Sequence, residues 1–475
     1  MKHFLLVFCI AMITLSCKNE PKVTEIPKDI SRNEVKVEDY ETAIIYEANI
    51  RQYSPEGTFE SFTKDIPELK KLGVKIIWLM PIHPISVTNR KATGDLMVHD
   101  IEDEEERKKY LGSYYSVSDY RGINPEYGNL DDFKNLVKTA HENGMYVILD
   151  WVANHTGWDH AWVKEQSDYY YKDKDGNVSE PINYDTGESW GWQDVAHLNF
   201  ENKALWDAMT ADMIYWVEDL DVDGFRCDVA GEVPTPFWEY ATEKINAVKP
   251  VFMLAESEKR ELFYNAFDMG YAWEGHHIQN KIAQGEKTVK DWDAYMVKYF
   301  DEFQEDDILM NFIDNHDENS WNGTVEERMG PAADAMLAMV YTIPGMPLIY
   351  SGQEYGLNHR LKFFEKDLIP KTKGKEWDLL EKLAILKQNN PAVNGGKQAG
   401  DYERLATSAD DQVLAFKRTK GDNTVIYIAN LSDKEVRFTL DYEGNYGDFL
   451  KEETIVLEKG YEYTFQPWQY VILVK

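Results

Sequence analysis

In the stretch GFRCDVA, residues 224–230, an arginine and an aspartate stand two apart inside an apolar run. Successive side chains alternate faces along a strand, so Arg226 and Asp228 share one face while Phe225, Cys227 and Val229 share the other. A buried ion pair adds little stability, because both ions give up their water. The alternative is a carboxylate held ionised by its arginine, at a strand end that opens into a cleft. Other apolar runs end in the same way. Asp150 and His155 close MYVILDWVANH, Glu256 follows VFMLA, and His316 and Asp317 close ILMNFIDNHD. Two carboxylates on neighbouring strands suit hydrolysis of a glycosidic bond, one as nucleophile or base and the other as acid. Beside Arg226, Asp228 is expected to stay ionised. Glu256, with an apolar approach and no cation next to it in sequence, is expected to hold its proton to higher pH. Asp317 suits a grip on two sugar hydroxyls. Spacing alone does not assign the tasks among the three.

The elements that must position these residues alternate between short apolar strands and amphipathic helices. Strands read at AIIYEANI, VKIIWLMPI, MYVILDWVANH, VDGFRCDVA, VFMLAESE, ILMNFIDNH and MPLIYSGQE. Helices read at FESFTKDIPELKKLG, at LDDFKNLVKTAHENG and over about residues 203–220. Such repeated units, about eight of them, predict an α/β fold, a closed (β/α)8 barrel over residues 40–391. The C-terminal strand ends of that fold meet at one face, so the charged residues converge there. An insertion after the third strand, about residues 156–199, is too long for an ordinary connection. From residue 392 to 475 the pattern changes to alternating strands, predicting a C-terminal antiparallel β-sandwich domain. No glycine-rich nucleotide loop follows any strand.

Composition narrows the partners. A net charge of −33 argues against nucleic acid and anionic lipid surfaces. Fourteen Trp and 29 Tyr exceed the needs of an average core, and aromatic faces stack on sugar rings. Trp151, Trp158, Trp190, Trp192 and Trp273 are candidates for outer subsites, although core packing explains any one of them equally well. The first 17 residues read as a secretory signal with a lipobox-like Leu-Ser-Cys ending, Cys17 being the expected lipidation site. Residues 18–39 read as a polar tether. The expected location is therefore exported and lipid-anchored to a bacterial membrane, with membrane contact only through that lipid.

Taken together and in order, these motifs resemble the α-amylase family of retaining glycoside hydrolases. DWVANH, GFRCDVA, LAE and FIDNHD match its third-, fourth-, fifth- and seventh-strand motifs; GVKIIWLMPI and GMPLIYSGQE match the second and eighth, and HLN closes its domain B. The resemblance implies Asp228 as nucleophile, Glu256 as general acid/base and Asp317 as the transition-state stabiliser. It implies Arg226 as the partner orienting Asp228, His155 and His316 as sugar hydrogen-bonders, and Tyr115 as a platform under the sugar. It implies an α-glucan or maltooligosaccharide substrate, with no cofactor required for the chemistry. Transfer to a sugar acceptor and non-catalytic glucan binding are the alternatives. DVAGEV after the nucleophile is closer to neopullulanases and cyclomaltodextrinases, and Ser116 stands where many relatives carry aspartate. Asn154 occupies a position that supplies a calcium ligand in relatives, which leaves a structural calcium open. The loop at Asp173–Asn177 lacks the later glutamate of a calcium loop and reads as a solvated turn.

Overall fold

A computed structural model describes residues 34–183, 186 and 188–475. The expected signal, Cys17 and most of the expected tether lie outside the described residues. Eight parallel strands close into a barrel in chain order: β1 (Ile45–Ala48), β2 (Ile76–Leu79), β3 (Tyr146–Trp151), β4 (Gly224–Cys227), β5 (Phe252–Ala255), β6 (Met269–Tyr271), β7 (Ile308–Asn311) and β8 (Met346–Tyr350). β8 returns to β1, with Leu348 opposite Ile45.

The alternation of strand side chains divides two cores. Ile45, Ile76, Ile148, Leu254, Met310 and Leu348 point into the barrel. Tyr46, Ile77, Leu149, Phe225, Met253 and Ile349 point outward, into the larger core shared with the helices. Two residues beyond an inward-facing apolar residue, the barrel interior changes character: Ile45 gives way to Glu47, Ile148 to Asp150 and Gly224 to Arg226. All three are fully or almost fully buried. The register places Asp150 directly opposite Arg226 across the β3–β4 ladder. At the base of β4, Gly224 is required, since a Cβ there would stand 1.9 Å from Phe252 O on β5.

The helix at Leu130–Glu142 follows its sequence signal. Asn129 accepts from the Asp132 amide at 3.2 Å, and the Asp132 carboxylate accepts from the Asn129 amide at 2.9 Å. The single helix expected before β2 is instead split into Phe59–Thr63 and Ile66–Leu69, with a 3-10 turn before Gly73. Pro67 has no amide to continue the first segment but fits the first turn of the second.

After β3 the inserted region is pinned by a short antiparallel pair, His155–Gly157 with Val195–His197. The C-terminal part forms a six-stranded antiparallel sheet and a separate two-stranded pair, with Val413, Ile426, Phe438 and Phe465 in the core they share. Arg418 fixes this part to the barrel's helical layer through the carbonyl of Thr342, at 2.8 Å. At the other end of the barrel, Val35 and Tyr40 are buried, and Tyr40 meets Phe252 edge to face at 5.0 Å. Within the stretch read as a tether up to residue 39, Val35 is buried, while Lys36, Val37 and Glu38 are exposed.

Candidate active site

β4 ends at Cys227, and Asp228 follows at the mouth of the barrel. Arg226 reaches up between three carboxylates. Its Nη1 donates to Asp150 Oδ1 and to Asp228 Oδ1, each at 3.0 Å. Its Nη2 lies 2.9 Å from Glu256 Oε2, close enough for strong attraction but poorly aligned to share a hydrogen. Nε donates to the Tyr271 hydroxyl at 3.1 Å, and the guanidinium lies 4.8 Å above the Trp78 ring. Val229 leaves the strand pattern: at φ 40° it occupies the left-handed region, uncommon for a β-branched residue, and its amide donates to Glu256 Oε2 at 2.8 Å.

Three carboxylates share one cation, so the pull of Arg226 on Asp228 is divided. Burial and the Glu256 charge push its carboxyl well above the usual range, more than Arg226 pulls it down. Burial also raises Asp150 and Glu256, against the same arginine. All three shifts favour the protonated form. Asp150 receives donors from Arg226, Trp78 and Tyr115, and Asp228 has an aligned bond from Arg226. Glu256 is aligned only with the Val229 amide, through Oε2, which leaves its other oxygen as the place for a proton.

Across the barrel, Glu47 Oε1 accepts from His316 Nδ1. His316 Nε2 meets the Tyr115 hydroxyl at 2.7 Å, and that hydroxyl donates to Asp150 Oδ2 at 3.2 Å. A carboxylate at one ring nitrogen and a hydroxyl at the other suit an imidazolium. Burial alone would lower its pKa, but Asp317 and Glu47 raise it to about 9. His155 is the opposite case, held neutral by burial and His197 down to about 3.

A cleft of about 500 Å³ opens above this network, lined by Tyr115, His155, Asp228, Glu256, His316 and Asp317. Every cleft residue picked out from sequence thus meets at one place, with Arg226 directly beneath. His155 and Asp317 are not at strand ends, however. His155 starts the short strand of the insertion, and Asp317 begins a helical turn six residues beyond β7. Of the five tryptophans, Trp190 and Trp192 line the cleft, whereas Trp151 is wholly buried, Trp273 packs against the barrel core, and Trp158 is outside the cleft lining and donates Nε1 to Gln193 O at 2.9 Å. Sequence reasoning missed Trp321, Phe363 and Phe364 on the cleft wall, and Lys91 and Asp95 from the connection after β2. The signal for the last two was length: some fifty residues run between β2 and the helix at Leu130–Glu142, holding only short pieces such as the single turn Glu104–Arg107.

A family description, "Alpha amylase, catalytic domain", matches residues 32–413.

The chain belongs to the α-amylase family.

This α-amylase family member is similar in structure to an α-amylase from Lactobacillus plantarum, at 30% identity and TM-score 0.79, over 93% of this chain and 100% of that one. A noncanonic maltogenic α-amylase from Thermotoga neapolitana gives 28% identity and TM-score 0.79, over 92% and 99%. In sequence the chain is 26% identical to an α-1,4-glucan:maltose-1-phosphate maltosyltransferase from Picrophilus torridus, over 80% of this chain. It spans only 60% of that relative's length. It is 24% identical to α-amylase 3 of Dictyoglomus thermophilum, over 89% of this chain and 91% of the relative.

Asn154 Nδ2 turns to His155 Nδ1 at 3.3 Å, and Asn154 O accepts the Leu198 amide at 3.1 Å. The Asp173 carboxylate accepts the amides of Asp175 and Asn177, both at 2.9 Å, closing a solvated turn on itself. Among the described residues, no group of three or more His, Cys, Asp or Glu side chains is arranged to hold a metal ion.

Proposed function

We propose that the protein is an α-glucan hydrolase that cleaves α-1,4-glucosidic bonds with retention, through a covalent glycosyl-enzyme intermediate. One observation carries this reading: Asp228 and Glu256 lean on adjacent nitrogens of the Arg226 guanidinium, at 3.0 and 2.9 Å. Two carboxylates gripped by one guanidinium stand close, which suits the separation of about 5–5.5 Å needed for retention rather than the about 6.5–9.5 Å that leaves room for an inverting water.

In the first half-reaction Asp228 attacks the anomeric carbon. Glu256 gives its proton to the departing glycosidic oxygen, and the carbon–oxygen bond breaks. As that proton leaves, the Val229 amide and Arg226 stabilise the new carboxylate. Asp317, at the cleft rim, holds sugar hydroxyls and supports the positive charge that develops on the ring. In the second half-reaction Glu256 takes a proton from water, which releases the sugar from Asp228 with its original configuration. His155 and Tyr115 contact the sugar from the cleft wall.

The maltosyltransferases among the relatives keep a second fate in view: a sugar hydroxyl in place of that water, giving transglycosylation from the same intermediate. A non-catalytic glucan-binding role has less support, since all three carboxylates are present and converge. The apolar run before Cys17 supports export with Cys17 as lipid anchor, testable by labelling with a fatty acid and detergent phase partition. For the reaction itself, maltoheptaose and pullulan are digested and the fresh products followed by NMR. Short maltooligosaccharides released as the α-anomer support the hydrolase. Products longer than the substrate would assign a transferase, and β-anomers or intact glucan would overturn the reading.

A further inference from the structure

The connection after β7 brings three residues to the cleft, His316, Asp317 and Trp321, on a stretch whose one regular piece is the wide π-type turn Glu318–Asn322. Such turns are rare and gather at functional sites. A single side chain closes this stretch. Arg328, from the short helix Val325–Met329, is almost fully buried. Its Nη2 donates to Ile313 O at 2.8 Å and to Asp314 Oδ1 at 2.7 Å, ahead of the cleft residues. Its Nε donates to Gly323 O at 2.8 Å, beyond them. One planar guanidinium thus joins the two ends of the loop 313–323. The helix Trp273–Ala283 holds it on a third side, where Asn280 Oδ1 accepts from Nη1 at 2.9 Å. His276 stands one turn earlier on the same helix face. Asn280 Nδ2 donates to His276 Nε2 at 2.9 Å, and His276 Nδ1 donates to Phe312 O at 3.0 Å. The His276 ring also stacks on Phe312, with centroids 4.4 Å apart. Arg328, Asn280 and His276 all lie outside the cleft lining.

We infer that Arg328 is a positioning residue for the reaction, its guanidinium fixing the loop that presents Asp317 to the substrate. The inference rests on the hydrolase reading above. Asp317 is partly exposed and reaches His316 Nε2 at 3.5 Å, so its place over the sugar depends on the backbone that carries it. That backbone is tied through carbonyls at residues 312, 313 and 323, and the ties meet at Arg328 directly or through Asn280 and His276. Hydrogen bonds from a charged donor are the strong kind, and a rigid fork fixes direction as well as distance. Arg328 touches neither sugar nor reacting atoms. Its effect on the chemistry passes through Asp317.

The test is a double-mutant cycle in the full chain, with a glucosyl fluoride as substrate so that slow variants stay measurable. Arg328→Lys keeps the charge but gathers its donors on one nitrogen, which cannot serve both ends of the loop. It should lower kcat by about 10- to 100-fold, the cost of a misplaced group at the reacting centre, with KM changed far less. In an Asp317→Asn background the same change should cost less than about 2-fold, because the group it positions is already disabled. Equal losses in both backgrounds, or an unchanged kcat, would overturn the inference, since a loosened fold harms the enzyme with or without Asp317. A second readout needs no turnover. The His316 ring, followed by NMR of labelled histidine, should titrate below its value of about 9 in Arg328→Lys as Asp317 moves away, and an unmoved titration would also overturn the inference. Should Arg328→Lys fail to fold, Asn280→Ala, which frees the guanidinium on one side only, is judged by the same two criteria with a smaller loss expected. No cleavage by wild type would instead overturn the hydrolase reading, and the histidine titration would still decide on Arg328.

Discussion

The Val229 amide donates to Glu256 Oε2 at 2.8 Å, and Val229 adopts φ 40° to aim it. A β-branched residue in that region is strained, by about 1–3 kcal/mol for such conformations in general. The strain buys asymmetry in the Glu256 carboxyl. Oε2 is committed to the amide and to Arg226, so the dissociable proton and the approach to substrate fall to the other oxygen.

Glu256→Gln tests that division. The amide can keep the Val229 contact through its carbonyl oxygen but has no acid to give. Turnover of maltoheptaose should fall by about 10²–10⁴-fold. With a glucosyl fluoride, whose leaving group needs little protonation, the first half-reaction should recover. A glycosyl adduct on Asp228 should then accumulate and be visible by mass spectrometry of the peptide carrying it. Full turnover of maltoheptaose by this variant would remove Glu256 from the acid role.

Among the described residues Arg226 supplies the one guanidinium paired with Asp150, Asp228 and Glu256, and it is fully buried. Arg226→Met keeps the bulk and strands the carboxylates, a change that costs about 3–5 kcal/mol when one partner of a buried pair is removed. The pH dependence has a definite sign. Burial has already raised all three carboxyls, so at acid pH they neutralise and the loss shrinks. Thermal melts of wild type and variant should therefore diverge more at pH 8 than at pH 5. A constant difference would mean that Arg226 acts by packing alone.

The parts of this design written in local alternation were legible in the sequence. Arg226 and Asp228 on one face follow from a spacing of two, and strand-end carboxylates follow from apolar runs that stop at a charge. β6 escaped notice because Met269–Tyr271 is three residues long with Gly270 at its centre. Gly270 is there because a Cβ would stand 2.5 Å from Ser257 O, a crowding that no local pattern encodes. Glu47 carried the same signal as Arg226, a charge at an inward position of an apolar strand, but its partner His316 lies 269 residues away. The sharing of one arginine among three acids was likewise invisible, since it depends on β3, β4 and β5 being neighbours. The aromatic wall at Trp321, Phe363 and Phe364 comes from two connections with no periodicity to mark them.

That wall gives a third prediction. Trp321 is half exposed and lies 4.9 Å from Phe363, which stacks on Tyr115 with ring centroids 6.3 Å apart. A sugar ring lying on Trp321 would be an outer unit of a longer chain. Trp321→Ala should lower kcat/KM for maltoheptaose by roughly 2- to 12-fold, the value of one aromatic contact, and leave maltotriose nearly unchanged. Equal losses on both substrates would place Trp321 in general support of the fold.

The last prediction concerns Glu47 and His316. The His316 ring is raised from 6.5 to about 9, because Asp317 and Glu47 together outweigh burial. A histidine with a raised folded pKa stabilises the protein fully below its unfolded value. That stabilisation is lost as pH climbs from about 6.5 through about 9. Wild-type melting temperature should therefore fall across this window. Glu47→Gln removes one of the two raising charges, so its imidazolium should deprotonate at lower pH, followed directly by NMR of labelled histidine. The variant's kcat/KM should approach wild type near pH 5.5, where both rings are charged, and fall behind it near pH 8, where only the wild-type ring remains so. A histidine titration unmoved by Glu47→Gln would show that Asp317 alone sustains the charge, and that Glu47 serves the barrel rather than the site.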